Sequence, residues 1–220
     1  MIRSRVFVVA KRVGFCTLLA WCSAVSFADD DSREVLKWRA VGIITGQAVP
    51  FTTDAYFPRP LVAGELVEMI FAIDPTVPGM ITDANSNASY FGAVKSVKVS
   101  GSDWSVRVRK ALGQGYIAVS NDNPNFGDAL AVIANSVPNS RMTWYDVQVS
   151  LRNPGGPSPG AGPWAPFDSV ALPRVPPALG YFPSNDFYLG ARRDVPGQAL
   201  DGGAYYGKIL SLDAVKSDDE

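Results

Sequence analysis

Apolar and polar residues alternate with a period of two along much of the chain. Trp104, Val106 and Val108 alternate with Ser105, Arg107 and Arg109, and Val97 and Val99 alternate with Ser96 and Lys98. Tyr145, Val147, Val149 and Leu151 alternate with Trp144, Asp146, Gln148 and Ser150. A strand sends successive side chains to opposite faces, so each segment offers one face to a core and one to water, as in an antiparallel sheet. Val67, Met69, Phe71 and Ile73 form one face of another segment, and Leu66 and Ile70 on its reverse predict a strand buried on both sides. Residues 37–45, 116–120, 129–134, 187–191 and 205–212 are further strand candidates, although 129–137 also fits a short helix. Turn signals separate them: Gly101-Ser102-Asp103, Gly113-Gln114-Gly115, Asn121-Asp122-Asn123-Pro124 and Asp201-Gly202-Gly203. No stretch carries a capped 3.6-residue period. About nine or ten short strands at this spacing predict an all-β fold, a two-sheet antiparallel sandwich or jelly roll, with a closed barrel as runner-up.

Residues 153–183 break the pattern. Nine of the 17 prolines fall there, and proline removes ladder donors. Trp164, Phe167, Leu172, Val175, Leu179, Tyr181 and Phe182 supply apolar anchors that a solvated linker lacks, so the segment is expected to be a long ordered connection lying over the sheet. Only about 37 residues follow it, too few for a second domain without staples. Residues 29–220 are therefore expected to form one β-sandwich domain, with 216–220 a frayed, charged tail.

The first 28 residues read differently. Arg3, Arg5, Lys11 and Arg12 precede an uncharged stretch, 13–25, and Ser26-Phe27-Ala28 places small residues before Asp29-Asp30-Asp31. This is the form of a secretory signal peptide cut after Ala28, and the apolar run is shorter than the ~20 residues a membrane span needs. Export to the periplasm or the extracellular space is the expectation, with no transmembrane span in the mature chain.

Composition removes several chemistries. The sequence has no histidine, and both cysteines, Cys16 and Cys22, lie in the leader. The mature chain would thus lack disulfides, thiol nucleophiles, Ser-His and Cys-His catalysis, and transition-metal sites built on imidazole or thiolate. It would hold 16 basic and 21 acidic residues, a balance of −5, a poor charge for wrapping nucleic acid.

Several strand and turn signatures together resemble a known class. Gly42-Ile43-Ile44-Thr45-Gly46 is followed by Ala63 to Asp74 in the form Ala-Gly-Glu-x-Val-x-x-x-Phe-x-Ile-Asp, and then by a Tyr90 to Val99 strand. Ala171-Leu172-Pro173 and Pro176-Pro177 precede Phe187 to Leu189, and Tyr206-Gly207-Lys208-Ile209-Leu210-Ser211-Leu212 lies near the end. This pattern is similar to bacterial exported proteins of the PEP-CTERM-associated type. The resemblance implies export and a β-rich fold, and brings no agreed activity and no catalytic residues. The last residues hold no Pro-Glu-Pro motif, apolar span or basic end, so sorting to the cell surface does not carry over.

Candidate chemistry is sparse. Gly156-Pro157-Ser158-Pro159-Gly160 matches Gly-x-Ser-x-Gly, but prolines on both sides of Ser158 forbid the strand-turn-helix elbow and no histidine can act as base. Asn121, Asp122, Asn123, Asn125 and Asp128 cluster hard oxygen ligands as calcium requires, or form an Asx-rich turn whose side chains bond their own backbone, the reading we favour. Thr82 to Ser89 is a second polar loop of the same kind. Trp144 shares the polar face of its strand with Asp146 and Gln148, a grouping that can stack on a sugar ring and bond its hydroxyls, or that the proline-rich segment covers. Tyr188 and Tyr205 are similar candidates. Arg192-Arg193 and Arg107, Arg109 and Lys110 read as solvated charge. Glu68, on the face of Leu66 and Ile70, is a candidate buried acid. The expected function is that of an exported, non-catalytic β-sandwich protein, with a polysaccharide or cell-surface component as partner and calcium as the one candidate cofactor. The alternative is a secreted polysaccharide hydrolase or lyase working through carboxylates and tyrosine.

Overall fold

The computed structural model describes residues 35–49, 57, 59–82, 86–109, 115–123, 127–135, 143–153, 167–193 and 201–215; at 48, 49, 109, 143, 144 and 201 only the backbone is described. The chain divides into two compact units, Met1–Ser32 and Arg33–Glu220, and all described residues belong to the second. The expected signal peptide, Gly-x-Ser-x-Gly, Trp164 and the 216–220 tail lie outside the described residues.

The period-two segments are strands. They are β1 (Leu36–Val49), β2 (Leu66–Ile73), β3 (Met80–Thr82), β4 (Asn87–Phe91), β5 (Val94–Ser100), β6 (Ser105–Arg109), β7 (Tyr116–Asn123), β8 (Gly127–Asn135), β9 (Thr143–Asn153), β10 (Ser184–Arg193) and β11 (Asp201–Ala214). All pair antiparallel in one sheet of order β3-β4-β7-β8-β9-β10-β11-β1-β2-β5-β6, which is not closed into a barrel. Eleven strands replace the nine or ten expected, and 127–135 is a strand rather than a helix. Its burial alternates residue by residue, a period no helix face can satisfy.

Three short connections join the two ends of this sheet. β2 leads to β3 through residues 74–79, β4 to β5 through Gly92 and Ala93 alone, and β6 to β7 through 110–115. Two residues span at most about 10 Å between flanking Cα atoms, so the sheet must curl until β4 and β5 meet. The Tyr90–Val99 strand expected from sequence is thus two strands. Gly92 adopts φ 84°, a left-handed turn that a side chain resists, and the chain leaves one end of the sheet for the other. Asp74 pins the first connection. Its backbone N–H donates to Ala93 O (2.8 Å), and its carboxylate accepts from the Thr76 N–H (2.9 Å), the Thr76 hydroxyl (2.6 Å) and Lys95 Nζ (2.8 Å).

Curling gives the sheet one inner face, where Trp38, Met69, Phe71, Ile117, Leu130, Leu151 and Phe187 are fully buried. Two loops plug its opposite ends. At one, Phe57 packs edge-on against Trp104, Tyr145 and Tyr205, with ring centroids 5.8–6.0 Å apart. At the other, the proline-rich connection inserts Phe167, Val170 and Phe182, and Tyr90 donates its hydroxyl to Val170 O (2.8 Å). Leu172 and Leu179 pack partly against the core, whereas Val175 (67 % exposed) and Tyr181 (39 %) do not serve as anchors. β2 is not buried on both sides. Leu66 is exposed and Glu68 faces solvent, because nothing described covers the outer face there.

Candidate functional site

With the inner face consumed by the core, the outer face carries the polar chemistry. On β9, β10 and β11 the register sets Gln148, Tyr188 and Tyr206 in one row across the sheet, Ser150, Asp186 and Lys208 in the next, and Asp146, Gly190 and Ala204 on the other side. Tyr188 and Tyr206 are direct cross-strand partners, and both are exposed. Each ring rests on a glycine. A Cβ at Gly190 would fall 2.6 Å from Tyr188 Cε1, and one at Gly46 would fall 2.7 Å from the Tyr206 hydroxyl. A ring lying on a bare Cα keeps its other side for solvent, so each tyrosine offers an aromatic face there.

Two hollows flank Tyr188. One, of about 280 Å³, is walled by Asp146, Tyr188 and Arg192 and floored by Gly190, Gly202 and Gly203. The other, of about 380 Å³, is bounded by Gln148, Arg152, Ser184, Asp186 and Tyr206. Burial pushes the Asp146 carboxyl above its ordinary range, opposed by the nearby Arg192 charge. Burial, then the Asp146 charge, raises the Tyr188 hydroxyl, which therefore stays protonated and able to donate at neutral pH. Asp186 is held below the usual range: Lys208 (2.6 Å) and the Ser184 hydroxyl (2.8 Å) outweigh its burial. The face combines exposed aromatic rings with fixed donors and acceptors.

Of the residues singled out in sequence, Asp146, Gln148 and Tyr188 meet here. Trp144 lies in β9 opposite Arg192, with its side chain outside the described residues. Tyr205 is on the other side of the sheet. It is 4 % exposed, meets Phe57 edge-on, and its hydroxyl accepts the Leu61 N–H (3.1 Å), so it belongs to the core. Tyr206 is the tyrosine that faces out, a residue the sequence reading left without a role. The parity of buried Ile209 would have found it, since 205, 207 and 209 share a face.

The Asx cluster lies in the β7–β8 hairpin. Asp128 accepts the backbone N–H groups of Asp122 (2.8 Å) and Phe167 (3.4 Å), and Asn123 donates to the Ser86 hydroxyl (3.4 Å). Asp122 takes φ 50°, as an Asx-rich turn allows. The Asn121 amide oxygen is buried without a hydrogen-bond partner, and Asn125 lies outside the described residues. Among the described residues, no group of three or more acidic side chains is placed to hold a metal ion.

Other acids are tied to cations. Glu68 pairs with Arg39 at the surface, and is not a buried acid. Arg59 donates both terminal nitrogens to Glu65 (3.0 Å each) and also grips Asp103 (2.8 Å). Glu65 further accepts the Trp104 indole N–H (2.8 Å). Burial pushes Glu65 up, but these donors together hold it below the usual range, so it is a structural anion. No protein-family model, curated protein or solved structure matches this chain.

Proposed function

We propose that this protein is an exported, non-catalytic carbohydrate-binding module whose outer β9–β10–β11 face takes a polysaccharide. The observation that carries the reading is the Tyr188–Tyr206 pair: neighbouring tyrosines on solvent, each backed by a glycine and flanked by Gln148, Asp146 and Asp186. A sugar offers apolar C–H faces and a rim of hydroxyls, which match rings and fixed polar groups respectively. Export rests on the leader and on the resemblance of the chain to exported proteins.

The test is binding of the purified protein to a panel of neutral polysaccharides. Tyr188→Ala and Tyr206→Ala should each weaken binding about tenfold, the equivalent of roughly 1.4 kcal/mol for one aromatic contact. Absence of binding across the panel, or an unaffected Tyr188→Ala/Tyr206→Ala variant, refutes the proposal. The second reading, a hydrolase or lyase, is favoured by the raised Asp146 beside the Tyr188 hydroxyl. Release of sugar ends from the same panel, abolished in Asp146→Asn, would replace binding by turnover.

A further inference from the structure

The other half of the outer face is cationic and grooved. On β1, β2, β5 and β6 the ladder places Arg39, Ile70, Lys98 and Arg107 in one row, and Lys37, Ala72 and Ser96 in the row beside it. A groove of about 580 Å³ runs between them, with Ile70 and Ala72 on its floor and Ser96 and Ser105 on its walls. The acids beside these rows are Glu68, which is neutralised by Arg39, and Asp213, which lies opposite Arg39 on β11. Lys98 and Arg107 are direct cross-strand partners, and among the described residues no acid pairs with either. Like charges facing each other across a ladder destabilise a sheet. The chain as a whole has one more acid than base, so this concentration of cations does not follow from composition.

We infer that this groove binds an anionic polysaccharide, a sugar chain bearing sulfate or carboxylate groups. Lys98 and Arg107 stand one strand spacing apart, about 4.8 Å, and Lys37 on β1 lies across Ile70 and Ala72 from them, so cations flank the groove and suit charges carried along an extended polymer. The serine hydroxyls and the apolar floor suit a sugar ring, and a bare polyphosphate offers neither hydroxyls nor C–H faces for them. Among the described residues no aromatic side chain lines the groove, so it offers single-stranded nucleic acid no stacking surface there. A concave groove also cannot lie flush on a bilayer. This site is separate from the Tyr188–Tyr206 face, and its test succeeds or fails without that reading.

The experiment titrates the full chain with heparin, polygalacturonate, neutral dextran and polyphosphate at low and high salt, alongside Lys98→Glu and Arg107→Glu. Binding to heparin or polygalacturonate, weakened by salt and absent for dextran, is expected; which of the two binds tells sulfate from carboxylate. Each charge reversal should weaken that binding about tenfold or more. Lys98→Glu places an anion opposite Arg107, so it should melt no lower than the parent while losing affinity. A structural role for the pair would not produce that split. The inference is overturned if neither anionic sugar polymer binds, if dextran binds equally, if polyphosphate alone binds, or if both reversals leave binding unchanged.

Discussion

Phe187 is buried to 2 % on the inner face, over two glycines on neighbouring strands. A Cβ at Gly42 would meet the ring at 2.5 Å and Lys208 O at 2.9 Å; one at Gly207 would meet the ring at 2.3 Å and Ile43 O at 2.1 Å. The ring therefore fills space that both side chains vacate. Phe187→Ala should cost about 3–5 kcal/mol, toward the upper end, because the backbone at 42 and 207 is fixed by ladders on both sides and cannot collapse into the hole. Gly42→Ala alone should cost about 1–3 kcal/mol by driving the ring from its rotamer. In the Phe187→Ala background the ring clash disappears and the new methyl occupies part of the cavity, which leaves only the 2.9 Å approach to Lys208 O, so Gly42→Ala should cost clearly less there than in the parent. Gly207→Ala meets a backbone oxygen in either background and should stay costly in both. Urea unfolding followed by tryptophan fluorescence measures each corner of the cycle, given an unchanged m-value. If Gly42→Ala costs the same in both backgrounds to within about 0.5 kcal/mol, the ring is not what excludes a side chain there, and the reasoning fails.

Two further predictions concern pH. Lys95 and the Thr76 donors hold Asp74 well below the usual carboxylate range, so it stabilises the fold above about pH 4 and loses that contribution as pH falls toward its folded pKa. Asp74→Asn should cost about 1–3 kcal/mol at pH 7, and the gap from the parent should narrow in urea melts taken progressively below pH 4. A gap independent of pH would contradict it. Asp146 has the opposite sign. Its raised pKa makes ionisation unfavourable in the fold, a cost absent below about pH 4 and present at neutrality. Asp146→Asn should stabilise by under about 1 kcal/mol at pH 7 and by nothing at pH 3; destabilisation at pH 7 would show that Arg192 outweighs burial.

What sequence shows of this protein is what a single strand determines by itself. Burial on one face imposes period two on Val67-Met69-Phe71-Ile73 and on Tyr145-Val147-Val149-Leu151, so the strands and their inner faces are readable. β3 and β4 are too short for a period to emerge, and one left-handed glycine, Gly92, ends a run that otherwise looks continuous. The Tyr205–Tyr206 choice needed the parity of the whole strand, and adjacent tyrosines hide it. Asp146, Gln148 and Tyr188 could be nominated because two lie on one strand and all are polar or aromatic. The Lys98–Arg107 facing pair could not. It arises from the turn that sets the register of β5 on β6, and Arg39 joins it only through β2. Likewise Trp104 reaches Glu65 from the β5–β6 turn to join Arg59 of the β1–β2 connection, and nothing in the sequence marks Glu65 as an anion held by both.

The division between inner and outer faces also decides where function can reside. Core side chains and two plugging loops occupy the inside, so a ligand must meet the convex side. There most carboxylates are already engaged: Asp186 with Lys208, Glu68 with Arg39, Asp103 with Arg59. Each such exposed pair is worth little to stability, but it cancels charge and leaves the surface around it nearly neutral. Against that background Lys98 and Arg107 stand out, because an acid at either position would be better for the fold. A stability-driven sequence would drift to the opposite-charge pair by a single substitution. That it holds two cations face to face, above a groove with hydroxyls on its walls, is what the proposed anionic ligand would account for by supplying the missing counter-charge.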